Sequence, residues 1–425
     1  MRRPPDLEVT QSHDPARLQA LWPEWSALLD AAPSPSPFLA PEWLVPWWRA
    51  FGGRSLPWIL EARDGRGDLA GLLLLAGAPA PLGVRRWRLL GNGVTGADGL
   101  DVVARPDAAA AARDALARAV AAAVGSWDLL DLEDLPCGSP SVDVLRRAVA
   151  ARGASAVVER GFVCPGFAVR GTFAAHLARV PRRETYGRRV RWLARQPGFR
   201  VDVAATPAEA GPALEDLLRL HRLRWATEGG SAGIPSAAVE AFHREAAPLL
   251  AARGWLRLYR LHVDGRAIAA VYGIEAGRRF FYYQSGYDPA WAARSPGLVL
   301  VGRTVEDAYV RGLVDYDFLR GEEAYKLEWA SDRRETQDLR IHAPSLRAGT
   351  AVLAREAWRG ARGAARAVAP RAAWEALRRA RRELENRAMA RRRSASLAVT
   401  RPASPPATRP ESRGGGESPW PMEPR

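Results

Sequence analysis

A chain of 425 residues with 47% hydrophobic content is long enough for two or three domains with a sizeable core. Its net charge of +15 is concentrated at one end: 18 arginines stand against 7 acidic residues from Arg347 to Arg425, which leaves the preceding 346 residues with 44 basic and 40 acidic groups. A near-neutral body argues against nucleic acid as its partner, and two cysteines without metal-ligand spacing, Cys137 and Cys164, argue against a disulfide framework or a zinc site.

The opening residues lack the apolar stretch of a signal peptide. The run Leu69–Pro81 is apolar but too short for a bilayer and is broken by Gly and Pro. A cytoplasmic protein is expected. Residues 15–31 read as a helix, ended by the segment Pro33–Pro37, and Phe38–Phe51 as a second, Trp-rich helix. Trp58–Arg63, the turn Asp64-Gly65-Arg66-Gly67 and Leu69–Ala76 read as strand, turn and strand, with a further strand at Arg86–Leu90. The glycine-rich segment Gly91–Gly99 fits no phosphate-loop fingerprint and reads as a flexible turn. Ala108–Val124 is expected to be a helix, Trp127–Leu132 a buried strand and Val142–Arg152 a helix.

Thr172–Gln196 is strongly basic and reads as one helix with a single apolar side. A strand at Phe199–Ala204, a helix at Glu209–Ala226, a Gly-rich loop at Thr227–Ile234 and a helix at Val239–Arg253 follow. Leu256–Val263, the turn Asp264-Gly265-Arg266 and Ala267–Glu275 repeat the strand, turn and strand of the first half. Phe280–Ser285 is a third strand, Gly286–Pro296 a loop, Gly297–Arg311 a helix and Val314–Leu319 a strand. The two turns sit at matching points, and strands Trp127–Leu132 and Val314–Leu319 each follow a helix. The pattern predicts an internal duplication into two α/β lobes. Beyond Ala343, Arg355–Arg393 alternates Arg and Ala, with Trp374, Leu377 and Leu384 at helical spacing, a pattern that suits either an anionic membrane surface or a solvated extension. Ser394–Arg425 has no periodicity and is expected to be disordered.

Chemistry concentrates in Val314–Trp329, VDYDFLRGEEAYKLEW. Asp315 and Asp317 interrupt a buried strand, Arg320-Gly321-Glu322-Glu323 turns the chain, and Tyr325, Lys326 and Trp329 follow. Lys326 is the only lysine of the chain. That singularity points to a place where a compact ammonium is required and a planar guanidinium is not tolerated.

Just upstream, Arg294-Ser295-Pro296-Gly297-Leu298-Val299 resembles the R/Q-x-x-G-x-G/A pyrophosphate loop of GNAT acyltransferases, with Val299 where that family usually has Gly or Ala. Over Ser285–Ala330 the chain resembles the GNAT-like family that includes the cellulose-biosynthesis protein CelD, which is related to FemAB peptidyltransferases. Ser295-Pro296-Gly297, Asp317-Phe318, Arg320-Gly321, Tyr325-Lys326 and Trp329 carry the likeness, with Arg224-Trp225 in the preceding helix.

The resemblance implies an α/β fold of two fused GNAT-like lobes, residues 1–165 and 166–346, each a mixed sheet flanked by helices, followed by a basic tail over 347–425. It also implies transfer of an acyl group from acetyl-CoA or another acyl-CoA to an amine, with no metal. The strand around Tyr283 would hold the thioester and pantetheine. Arg294, Ser295, Gly297, Leu298 and Val299 would hold the pyrophosphate. Glu322 is the expected base, or an electrostatic partner of the ammonium, and Tyr325 the expected acid. Lys326 and Arg320 would bind an anionic substrate group, with Asp317, Trp329 and Arg224 also facing the substrate. Asp317 reads equally well as a structural carboxylate, paired with Arg320 or capping a neighbouring turn. Three functions remain open: an N-acyltransferase acting on a sugar, lipid or cell-envelope precursor; a Fem-type transferase using aminoacyl-tRNA; and a catalytically silent scaffold in polysaccharide synthesis, held at the inner face of the membrane by its tail. The Val299 departure is what favours the last.

Overall fold

The computed structural model describes residues 7–32, 36–53, 55–78, 80, 83–226, 234 and 236–368, with backbone alone for 362–368. Expectations for the Gly-rich loop before Ile234, for Trp374, Leu377 and Leu384, and for Ser394–Arg425 fall outside the described residues.

The first half opens with strand β1 (Glu8–Ser12) and helices α1 (Ala16–Ala20), α2 (Trp22–Asp30) and α3 (Pro41–Phe51). Strands β2 (Pro57–Arg63), β3 (Leu69–Ala78), β4 (Arg86–Leu89) and β5 (Val103–Ala104) follow. Helix α4 (Ala109–Ala122), strand β6 (Leu129–Pro136), helix α5 (Pro140–Ala150) and strand β7 (Ser155–Ala168) complete it. The second half comprises α6 (Phe173–Leu177), α7 (Arg183–Leu193), β8 (Arg200–Ala204), α8 (Pro207–Ala226), α9 (Ala237–Ala252), β9 (Leu256–Val263), β10 (Arg266–Ala276) and β11 (Arg279–Tyr287). It ends with α10 (Pro296–Val310), β12 (Asp315–Asp317), α11 (Ala324–Trp329), β13 (Asp332–His342) and α12 (Leu346–Val368).

The duplication read from the sequence is present in the topology. In each half an antiparallel hairpin is followed by a parallel β-α-β crossover: β4 pairs β6 across α4, and β11 pairs β12 across α10. The strands form one sheet in the order β1-β2-β3-β4-β6-β13-β7-β12-β11-β10-β9-β8, with β5 paired to β3. Read from either end, the order is the same up to the exchange at its centre. β7 follows β6 in the chain but lies beside β12, and β13 follows β12 but lies beside β6. Each half lends its last strand to the other. A lobe boundary at 165/166 falls inside β7.

The basic segment 172–196 is two helices. Pro181 lies between α6 and α7, where it can neither donate a helical bond nor let its predecessor turn helically. The 15–31 helix likewise divides at Leu21, ahead of Pro23. β3, with sequence LAGLLLLAGA, is nearly all apolar because it is covered on both faces. One hydrophobic core joins Trp25, Trp43 and Leu60 of the first half to Leu217, Phe242 and Tyr283 of the second. A second core, with Tyr186, Val299, Tyr316 and Trp329, lies under α10 within the second half.

Segment Gly91–Gly99 is a fixed element rather than a free turn. Thr95 carbonyl accepts from the Tyr283 hydroxyl at 2.6 Å, and Asp98 accepts from the backbone and side chain of Arg320 at 2.8 and 2.5 Å.

Candidate active site

Strands β11 and β12 run together only from Arg279–Phe281 against Asp315–Asp317. Beyond that point β11 continues to Tyr287, while the other chain turns away at Leu319, which takes a left-handed conformation (φ 57°). The divergence opens a cleft of about 260 Å³ between β11, the start of α10 and the end of α8.

A bulge sets which β11 side chains face it. Gly273 of β10 pairs with Tyr282 and Tyr272 with Gln284, so Tyr283 has no partner in the ladder. The phase of the strand slips by one there. Phe280 and Tyr282 face the second core before the bulge, and Ser285 and Tyr287 face the cleft after it. Tyr283 turns the opposite way, into the first core, where its hydroxyl lies 3.2 Å from Nε2 of His243. Its side chain joins the two halves and does not line the cleft.

Helix α8 is held at its start by the Glu209 carboxylate, which accepts from Thr206 N at 3.1 Å. Its far end carries Arg224 into the cleft. Arg224 Nη1 donates to Ser285 Oγ at 3.3 Å, and the guanidinium lies 5.4 Å from the Tyr287 ring centre. Gly286 permits this approach, since a Cβ there would meet the backbone nitrogen of His221 at 2.4 Å.

The loop after β11 makes a short 3-10 turn over Pro289–Arg294 and then Ser295, left-handed at φ 53°, which starts α10. Pro296 has no N–H. The backbone N–H groups of Gly297 and Leu298 belong to the first turn, where no intrahelical acceptor exists, and both residues line the cleft. A helix N-terminus with open donors favours an anion such as pyrophosphate. Val299 is fully buried in the second core, so its bulk does not enter the cleft.

Across the cleft, α11 places Tyr325 with its ring centre 6.2 Å from that of Tyr282. Burial pushes the Tyr325 phenol well above its ordinary pKa, and the nearby Tyr282 and Glu323 add to the shift. Burial likewise raises Tyr282. Both phenols are therefore protonated at any ordinary pH. Trp329 closes the floor, stacked at 6.1 Å on His176 and edge-on at 5.8 Å to Tyr186.

Of the thirteen residues expected from the sequence, the structure brings Arg224, Ser295, Gly297, Leu298, Tyr325 and Trp329 to one cleft. The other seven lie elsewhere. Arg320 bridges Asp98 and Asp134, the latter at 3.0 Å, and ties β12 to the first half. Asp317 is buried, accepts from Leu319 N at 2.8 Å and pairs with Arg334 at 3.1 Å and Arg279 at 3.5 Å rather than with Arg320. Lys326 Nζ donates to the Arg320 carbonyl at 2.6 Å and pairs with Glu323 at 2.9 Å. Glu322 is exposed beside Arg333 at 3.6 Å. Arg294 stacks on the Trp192 ring at 4.1 Å, outside the cleft. Tyr283 and Val299 point into the two cores. Sequence reasoning passed over Arg182 and Tyr287 and the side chains of Tyr282 and Ser285, all in the cleft wall. Among the described residues that line it, the charged side chains are Arg182 and Arg224, with no carboxylate and no histidine.

Residues 181–327 match the family model described as an acetyltransferase (GNAT) domain. A search of curated proteins gives no match. Among solved structures the chain is similar to FemX, at 11% identity and TM-score 0.54, over 78% of this chain and 96% of that one. It is also similar to a tandem GNAT protein from the clavulanic acid biosynthesis pathway (16% identity, TM-score 0.42, 80% and 100% covered). A third is the C-terminal domain of a putative lysylphosphatidylglycerol synthetase from Agrobacterium fabrum (12% identity, TM-score 0.48, 81% and 96% covered). The fold is of the GNAT type, with two halves in tandem. Among the described residues no group of side chains has the composition of a metal site, and no helix is long and apolar enough to cross a membrane.

Proposed function

We propose that the second half is an N-acyltransferase that uses an acyl-CoA donor and an amine acceptor carried by a small molecule or by a sugar, lipid or cell-envelope precursor. The observation that carries this reading is the meeting, in one cleft, of the open N-terminus of α10 and the protonated Tyr282–Tyr325 pair. The diphosphate of CoA sits against the Gly297 and Leu298 amides. The pantetheine arm then runs along β11 towards Tyr325.

The free amine attacks the thioester carbonyl, forming the C–N bond and a tetrahedral intermediate. Collapse breaks the C–S bond, and the departing thiolate takes its proton from the Tyr325 phenol. The amine's surplus proton passes to water, because among the described residues no carboxylate or imidazole lines the cleft, and solvent reprotonates the phenolate. Glu322, exposed and beside Arg333, is not offered as the base. With Val299 packed in the core, the feature that favoured a silent scaffold no longer does so.

Acetyl-CoA titration by calorimetry, on wild type, Gly297→Ala and Gly297→Asp, tests the donor site. A Cβ at Gly297 meets only the Tyr287 ring, at 3.8 Å, so the alanine variant is expected to bind like wild type. An aspartate at a helix N-terminus favours the helix while repelling a diphosphate. Loss of binding in Gly297→Asp, with an unchanged melting temperature, is the expected result. Wild type that fails to bind acetyl-CoA at millimolar concentration would overturn the reading.

A further inference from the structure

Helix α12 carries apolar residues on both sides. On its inner face Ala351 and Val352 pack with Ala348 against the body, and polar groups pin the helix there. Ser345 Oγ accepts from Ala348 N at 3.1 Å and bonds Asp128 at 3.0 Å. Ala348 is fully buried beside Val84 and Leu129. Arg355 reaches Asp131 at 3.4 Å, and Arg359 grips Glu159 at 2.8 and 2.9 Å. With Arg355 and Arg359 drawn to the body, the helix leaves Leu346, Leu353 and Trp358 at 91%, 67% and 65% exposure. At 3.6 residues per turn Leu346 and Leu353 lie within about 20° of each other, with exposed Ala357 on the same line, while exposed Trp358 lies about 120° round the helix from Leu346.

We infer that this face docks on an anionic lipid bilayer. Residues 369–425, which continue directly from α12, hold thirteen arginines against six glutamates, a surplus of seven positive charges. A short apolar stripe, an exposed tryptophan and a following polybasic segment supply both terms of interfacial binding: shallow burial of apolar side chains and attraction to acidic headgroups. Neither term alone anchors a protein firmly. Nucleic acid would satisfy the arginines but not Leu346 and Leu353. A second copy of the chain carries the same positive surplus and gains no charge complementarity. The site would hold the cleft at the membrane surface.

Co-sedimentation of the full-length protein with vesicles tests this, comparing phosphatidylglycerol/phosphatidylcholine with phosphatidylcholine alone. Wild type is expected to pellet with the anionic vesicles and to be released by salt. The double variant Leu353→Glu/Trp358→Ala changes only exposed positions. It is expected to keep its melting temperature and to partition at least about tenfold more weakly, the scale set by losing two buried apolar side chains. The inference is overturned by wild type left in the supernatant, or by equal pelleting of the double variant. A concentration-dependent dimer that the double variant abolishes, without vesicle binding, would assign the face to a second copy instead. Tight duplex-RNA binding by wild type and double variant alike, with no vesicle binding, would assign the basic segment to nucleic acid. None of these readouts depends on acetyl-CoA.

Discussion

Tyr325 is the residue on which turnover should depend most. Its phenol is kept protonated by burial and stands beside Tyr282 at the inner end of the cleft, so it donates a proton but does not accept one. Tyr325→Phe removes the proton and keeps the ring. A loss of about 10²-fold in kcat with little change in donor affinity is expected, read by thiol release from acetyl-CoA with a reactive amine. Because no carboxylate or imidazole among the described residues lines the cleft, kcat/KM for wild type should rise with pH in step with the free amine, and follow the acceptor's pKa when the acceptor is changed. A fixed acidic limb, the same for acceptors of different pKa, would show that a base in the protein had been missed. Lys326 was legible as a place for a compact ammonium, and its partners in the fold are the chain's own groups. Its ammonium is buried in contact with the Arg320 carbonyl and Glu323, a space that suits a point charge and not a fork. Lys326→Arg should therefore lower stability by about 1–3 kcal/mol through overpacking, measured by denaturant titration, and affect acceptor use only through the fold.

The element that decides the cleft is β11, and its bulge is what sequence could not supply. The run RFFYYQSGY reads as a strand on β-propensity alone, yet alternation without a bulge would place Tyr282 and Ser285 on opposite faces. The bulge depends on pairing with β10, which lies outside the strand's own residues. β7 and β13 went unread for a related reason. β13, with sequence DRRETQDLRIH, looks like a polar loop, but Arg340 is surrounded by Asp131, Glu133, Glu159 and Asp338, so a central strand is charged because its charges are paired. Helices with strong apolar periodicity and hairpins with an Asp-Gly turn were visible because their signals are local. Gly286 is the position where β11 and α8 depend on each other. Gly286→Ala forces a methyl against the His221 backbone at 2.4 Å, and neither backbone can yield cheaply. The variant should lose about 2 kcal/mol or more and raise the acceptor KM by displacing Arg224. A melting temperature unchanged from wild type would mean that the two elements are less tightly joined than described.

At the scale of the whole molecule, the exchange of β7 and β13 makes the two halves one sheet, and the larger core runs through both. Duplication was legible, because each half repeats its hairpin and crossover along the chain. The exchange was not, since it concerns which half a strand joins. Its consequence is that groups buried between the halves report on global folding. His243, on α9, packs against Trp43 of the first half and Tyr283 of β11, and burial lowers its pKa to about 3. His221 and His176 are lowered to about 4 by burial. Below their ordinary pKa near 6.5 the unfolded chain takes up these protons and the folded protein does not, so each histidine costs stability as pH falls from about 6.5 towards its folded value. Asp134, in the Arg320 clamp, acts with the opposite sign. Burial raises it to about 7 against the pull of Arg320, with Asp98 assisting, so it binds a proton in the fold that it lacks when unfolded. Its contribution is fully present below about pH 4 and is lost as pH rises through 7. Around His243 the facing groups are Tyr283, Tyr272 and His221; around Asp134 they are Arg320, Asp98, Asn92 and Asp338. Between pH 4.5 and 6 each group shifts the slope of unfolding free energy by one proton, about 1.4 kcal/mol per pH unit. His243→Gln should flatten that slope by up to this amount and Asp134→Asn should steepen it, while both variants unfold in a single transition. Equal slopes in wild type and both variants would show that neither group changes its protonation on folding, and two separated transitions would show that the exchanged strands do not couple the halves.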